Sequence, residues 1–200
     1  MKWFSSDWHL GHSKSIELGS RPFKNADEMD DTIIENMFSN VKRGDDFYFL
    51  GDLAWNASNI IRVLEAAAKK KIRFHWILGN HDFRFVKQFQ GRIKQYNQLN
   101  SMHDTFEVKL TDEEGKHYPT FLSHYPMLTW NKSHYNSFLL FGHHHQKTHK
   151  ADEIRKYELE GKKLNVCCEF YDYKPVNELE IIEIMSRRPN NWDYIERKKK

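Results

Sequence analysis

The sequence predicts an α/β fold, and two observations carry that expectation. In the first half of the chain, short apolar runs alternate with stretches of helical periodicity, the strand–loop–helix order of a sheet covered by helices. Each apolar run also stops at a glycine or turn followed by a side chain able to bind metal, and ligands sit at the carboxyl ends of the strands in such sheets. With 200 residues, 39% of them hydrophobic and 30% charged, the chain suits one globular domain with a substantial core. That domain is expected over residues 1–186, with a tail over 187–200.

Lys2 to Ser6 reads as a short apolar strand that breaks at Asp7-Trp8-His9-Leu10-Gly11-His12. Asp7 and His9 fall at i and i+2 past its end, so both can face one pocket. After a loop through Arg21-Pro22-Phe23, Asn25 or Asp27 caps a helix with acidic residues in its first turn. Met29, Ile33, Ile34, Met37, Phe38 and Val41 keep its 3.6-residue period, and Gly44 stops it. Phe47 to Leu50 is apolar on both faces, as in a covered sheet, and ends at Gly51-Asp52. Ala57 to Lys71 is a second helix. Arg73 to Leu78 is a third strand, followed by Gly79-Asn80-His81-Asp82.

The second half is richer in strands. Met102 to Lys109 and His117 to Ser123 flank a hairpin turn at Thr111 to Lys116, and the second strand delivers His124. Phe138 to Phe141 delivers Gly142-His143-His144-His145. If extended geometry persists there, His143 and His145 point the same way and His144 the opposite way. Leu164 to Phe170 is read as a strand, and Leu179 to Met185, after Asn177, as a closing helix.

The charge balance excludes little. The formal charge is +3, too near neutral to argue for nucleic acid by itself. Much of the excess lies in the tail, which reads as a solvated terminus. The only cysteines, Cys167 and Cys168, are adjacent and form no disulfide framework. No run of 18 apolar residues and no apolar leader segment is present. These features read as a reduced, cytosolic protein with no membrane span.

Asp7, His9, Asp52, Asn80, His124, His143 and His145 thus gather at five strand ends, with His81 beside them. Any one has an ordinary structural explanation; five strand ends all carrying metal-type ligands do not. Seven ligands are too many for one tetrahedral ion, whereas two ions sharing a carboxylate use them all.

Asp7-x-His9, Gly51-Asp52, Gly79-Asn80-His81-Asp82, His124 and Gly142-His143-x-His145 resemble, in order, the five-motif signature of calcineurin-like metallophosphoesterases. Ser6 to His12, Arg21-Pro22-Phe23 and Tyr173-Lys174-Pro175-Val176 further resemble a small single-domain branch from bacteria and their phages. The resemblance implies a four-layer α/β/β/α sandwich with a dinuclear metal site at the strand ends. It assigns Asp7, His9 and His145 to one ion, Asn80, His124 and His143 to the other, and Asp52 to the bridge. His81 becomes the proton donor to the leaving oxygen or a contact to phosphate, oriented by Asp82. Residues 165–169, Asn-Val-Cys-Cys-Glu, depart from the small residues expected there.

The chemistry calls for these residue types. Two divalent ions clamp a phosphoryl group and lower the pKa of a shared water, so that hydroxide is available to attack phosphorus. An alkoxide leaves poorly, and a general acid contributes about 10²–10⁴-fold. Mn is the favoured metal, and Fe, Zn or Ni suit the same nitrogen and oxygen donors. His12 and Arg21, in loops bordering the pocket, are candidate phosphate contacts; Trp55, Trp130 and Tyr135 are candidate platforms for a base. His75, His103, His117, His134 and His149 receive no role. The expected activity is a phosphodiesterase acting on a small nucleotide-type diester, because no long insertion is available to grip a polymer. A nuclease on DNA or RNA, a phosphomonoesterase and a metal-free scaffold of the same fold are the alternatives.

Overall fold

A computed structural model describes residues 1–90, 99–147 and 151–196; His149 and the basic end of the tail, 197–200, lie outside them. The chain runs β1 (Lys2–Ser5), α1 (Lys14–Gly19), α2 (Ala26–Ser39), β2 (Asp46–Leu50), α3 (Ala57–Lys70), β3 (Arg73–Ile77), α4 (Phe83–Gln90), β4 (Leu99–His103) and β5 (Thr105–Thr111). It continues as β6 (His117–Ser123), β7 (Phe138–Phe141), α5 (Ala151–Glu158), β8 (Lys163–Asn165), β9 (Val176–Asn177) and α6 (Glu178–Ser186). Two sheets result, ordered β4-β3-β2-β1-β9 and β5-β6-β7-β8. β1 to β4 are mutually parallel, with β9 antiparallel at the β1 edge. In the second sheet the β5–β6 hairpin is antiparallel and β6, β7 and β8 are parallel.

Side-chain alternation explains how the sheets stack. Phe47 and Phe49 of β2 and Phe74 and Trp76 of β3 face outward, into a core shared with α2 and α3. Tyr48, Leu50 and Ile77 face the other way and meet Leu110, Leu122, Leu140 and Leu164 of the second sheet. Leu139 and Phe141, on the far side of that sheet, pack with Trp130. Strands buried on both faces carry continuous apolar runs, as Phe47–Leu50 and Phe138–Phe141 do. The helices begin where the caps predict: Asn25 and Asn56 accept from backbone amides three residues on, and Asn177 and Glu180 form a reciprocal capping box.

Three expectations need correction. The run Met102 to Lys109 is not one strand: it divides at Asp104, with β4 completing the first sheet and β5 opening the second. Nothing in its apolar pattern marks the change of partner. Leu164 to Phe170 is not one strand either. β8 stops at Asn165, whose side-chain oxygen takes the Cys167 amide at 2.9 Å, and a 3-10 turn follows over Cys168–Tyr171. Nor is the start of the tail loose. Asn191 is buried, its Oδ1 accepting from the Lys162 amide and its Nδ2 donating to the carbonyls of Ser133 and Ser137. No helix among the described residues is long and apolar enough to cross a membrane.

Candidate metal centre

The loops leaving β1 and β2 run side by side, joined by backbone bonds from Asp7 to Gly51, His9 to Asp52 and Leu10 to Leu53. Within them Asp7, His9 and Asp52 adopt positive φ of 59°, 51° and 61°, and His143 after β7 does so at 69°. Such left-handed geometry is costly for non-glycine residues and clusters at functional sites. It turns all four side chains in toward one point. The extended geometry expected after β7 therefore does not persist. His143 instead packs its ring near His124 at 5.2 Å, while His145 lies near His9 at 5.1 Å. The two histidines serve opposite ends of one site.

Six of the seven expected ligands are joined by direct ligand-atom contacts. His9 Nε2 lies 3.2 Å from His145 Nε2 and 3.7 Å from Asp52 Oδ2. His124 Nε2 lies 3.6 Å from the same Asp52 oxygen and 3.2 Å from Asn80 Oδ1. His145 Nε2 is 3.9 Å from Asp7 Oδ1. His143 enters through its backbone amide, which donates to the Asp7 carboxylate, and through its ring contact with His124. Glycine is needed where the loops touch. A side chain at Gly142 would meet Asp7 Oδ2 at 2.5 Å, and one at Gly79 would collide with Asp52 Oδ1.

The donor set fits cations. His124 Nδ1 lies 2.8 Å from the Leu50 carbonyl, which only accepts, so Nδ1 carries the proton and Nε2 turns its lone pair toward Asp52 and Asn80. Glu169 fixes His145 in the same way, Oε1 accepting from Nδ1 at 2.9 Å. At His124, Asp52 and Asn80 acceptors thus converge on acceptors, the arrangement a cation resolves. Burial pushes Asp52 above the usual carboxylate range against the pull of His124, and Asp7 pushes it further. Burial, then His145, lowers His9; burial, then His124, lowers His143 to about 4. Both imidazoles are therefore neutral and able to ligate. Burial also lowers His145, but the bond to Glu169 and the charge of Asp7 outweigh it and hold the pKa at about 9. Asp7–His9–His145, His9–Asp52–His81 and Asp7–Asp52–His124 each bring three ligand atoms within 4.8 Å of one another. His145–Cys167–Glu169 does so too, but burial keeps the Cys167 thiol protonated and Glu169 is held by Arg21.

Several expected roles change. His81 is at the site: its amide donates to Asp52 Oδ1 at 2.9 Å, and its half-exposed ring stands 5.4 Å from His9. Asp82, however, does not orient His81. Its fully buried carboxylate accepts from the amides of Asp52, Leu53 and Gly79 and from the Trp76 indole, so it secures the loop that carries Asp52. Arg21 borders the pocket but is not a free phosphate contact. Its guanidinium is saturated by Glu169, the carbonyls of Asp7 and Trp8, and the Met29 sulfur. His12 does line the cleft, a space of about 190 Å³ shared with His9, Ser15, His81, His145 and Lys147. Its ring lies parallel to Trp55 at 4.0 Å. Trp130 is buried with its indole bonded to Ser137, and Tyr135 packs against His134 beside the C-terminal segment. Neither reaches the cleft. His144 is not simply solvated, since its Nδ1 is 2.8 Å from Glu158.

Sequence reasoning missed Glu169, which lies where the chain departs from the expected small residues. A carboxylate there was the available signal.

Comparison with known proteins adds the following. The family model described as calcineurin-like phosphoesterase matches residues 3–195. An uncharacterized protein of the archaeon Methanocaldococcus jannaschii is 29% identical, over 91% of this chain and 89% of its own. The gene 66 protein of Mycobacterium phage L5 is 26% identical, over 78% of this chain and 83% of its own. A solved structure of a protein of unknown function from Aquifex aeolicus shares the fold, with a TM-score of 0.66, 24% identity and coverage of 92% and 98% of the two chains.

Proposed function

Because the chain belongs to the calcineurin-like phosphoesterase family, and is thus a phosphoester hydrolase with a divalent-metal site, we propose that it is a dinuclear phosphodiesterase acting on a small nucleotide-type diester. Asp7, His9 and His145 would hold one cation and Asn80, His124 and His143 the other, with Asp52 between them. When bound, such ions supply a positive clamp for the phosphoryl oxygens and a water acidic enough to deprotonate near neutral pH.

The protein's own groups do the rest. The Leu50 carbonyl keeps His124 Nε2 unprotonated toward the site, and Glu169 aims His145 Nε2 at it, where a cation would displace the proton that Glu169 and Asp7 favour. Asp82 and Arg21 hold the two loops beneath it, so little reorganisation accompanies the reaction. Hydrolysis breaks the bond from phosphorus to the leaving oxygen, and that oxygen needs a proton. His81, tethered through its amide to Asp52 but with its ring half exposed, is the group placed to give it. The diester preference rests on this proton donor and on the family.

The observation that carries the reading is the convergence of His9, His124 and Asp7 on the buried Asp52. Hydrolysis of bis-p-nitrophenyl phosphate and p-nitrophenyl phosphate with added Mn, by wild type and Asp52→Asn, tests it. Diester turnover that disappears together with bound metal in the variant is expected. Monoester turnover alone would replace the reading with a phosphatase, and a wild type that takes up no metal would replace it with a scaffold. The exposed cations Arg84 and Lys147 near the cleft keep a nuclease as second reading; its mark is activity falling steeply with salt.

A further inference from the structure

Beside His81 lies a stack that the reaction as described does not use. The Trp55 ring is 5.3 Å from His81 and is packed at 4.0 Å against His12. The Arg84 guanidinium sits 4.3 Å from the centre of the same indole. Arg84 is exposed, and no carboxylate among the described residues pairs with it. Its polar contact with the protein is a long 3.5 Å approach to the Ala54 carbonyl. An arginine held by stacking, with its donor fork open, is suited to bidentate recognition of an anion.

Its position says which anion. If His81 protonates the leaving oxygen, the leaving group lies beside His81, within reach of the Trp55–Arg84 stack, whose indole is 5.3 Å from the His81 ring. We propose that Arg84, mounted on Trp55, binds a second phosphate carried by the leaving group, so that the substrate is a diester of a phosphorylated alcohol rather than of an uncharged one. This rests on the phosphodiesterase reading and narrows it. His12 braces the other component of the stack and lines the cleft between the stack and the candidate metal ligands.

The test uses three thymidine dinucleotides: TpT, with no terminal phosphate, pTpT and TpTp. Cleavage of the internal diester is followed with Mn at low salt, for wild type, Arg84→Gln, Arg84→Lys and Trp55→Ala. For wild type, kcat/KM for one terminally phosphorylated form should exceed that for TpT by roughly tenfold or more. Arg84→Gln should bring the ratio near one through KM, Arg84→Lys should restore part of it, and Trp55→Ala should lower it. A wild-type ratio near one overturns the proposal, as does an Arg84→Gln variant that loses all three substrates in equal proportion or keeps the wild-type ratio. Turnover of bis-p-nitrophenyl phosphate without phosphate preference would sink this inference alone. Absence of all diester turnover would sink the phosphodiesterase reading and this inference with it.

Discussion

Glu169→Gln exchanges one oxygen for an amide nitrogen and leaves the volume unchanged, yet the site should tolerate it poorly. Oε1 of Glu169 meets His145 Nδ1 at 2.9 Å and Arg21 Nε and Nη2 at 3.0 and 2.9 Å, and Oε2 takes the Gln146 amide at 2.9 Å. An amide cannot reproduce this set. If its nitrogen takes the place of Oε1, it opposes the Arg21 donors and, donating to His145 Nδ1, moves the imidazole proton to Nε2, which then no longer faces the site as a ligand. If its oxygen stays on both, its nitrogen opposes the Gln146 amide. In either case Arg21, fully buried, loses its counter-charge. Breaking a buried pair costs about 3–5 kcal/mol, which for a chain of this length lowers Tm by about 6–20 °C. Loss of an oriented ligand costs about 10–100-fold in metal affinity. Calorimetry of the metal-free protein measures the first effect, and Mn titration, at a temperature where both proteins are folded, measures the second. A variant that melts with wild type and binds Mn with the wild-type constant would refute the claim that Arg21 and Glu169 set the geometry of His145.

His81→Ala should keep bound metal and lose about 10²–10⁴-fold in kcat on diesters with alkoxide leaving groups; metal loss instead would make His81 a ligand, as its approach to His9 and Asp52 permits. Chelation should lower Tm, and Mn at about 100 times its Kd should restore about 2.7 kcal/mol; an unchanged Tm on both counts would deny a native cation site. Burial raises Asp30 to about 6, against its bonds from the Gly11 amide and Asn59. Because its folded pKa lies above the unfolded value near 3.9, its contribution is fully present below about pH 4 and is lost as pH rises to about 6. Asp30→Asn, with Asn59 turned to present its oxygen, should remove that slope and gain on the order of 2 kcal/mol at pH 7 in urea unfolding; an unaltered slope would count against a raised Asp30.

What was legible in the chain depended on range. Strands such as Phe47–Leu50 and helices such as α2 and α3 announce themselves through short-range periodicity and caps, and the ligand types through their recurrence at strand ends. The break at Asp104 was not legible, because the two halves of that run pair with different sheets and no local residue records a partner. Residues that act through others were misread for a related reason. Asp82 adjoins His81 in sequence but reaches back to the β2 loop, and Arg21 borders the pocket yet has its five donors committed within the protein. Glu169 carried one local signal, a carboxylate where small residues are expected, because its partners His145 and Arg21 lie 24 and 148 positions away.

The charges at the site make the dependence on cations more than a matter of ligand types. Asp7, Asp52, Asp82 and Glu169 are all buried within this small region. Arg21 is their permanently charged buried neighbour, and it is committed to Glu169 and to two carbonyls. Backbone amides cradle Asp82 and hold it without a counter-ion. Asp7 and Asp52 have less: Ser6 and the His143 amide serve the first, the His81 amide the second, and the His124 lone pair faces Asp52. Two buried carboxylates repelling each other behind a wall of acceptors is an unfavourable arrangement for a binding platform built only to be stable. Left-handed backbone at Asp7, His9, Asp52 and His143 adds cost at the same four places. Both costs are relieved by the same event, entry of cations among these side chains, and a scaffold of this fold with no use for metal would gain stability by replacing Asp7 and Asp52 first.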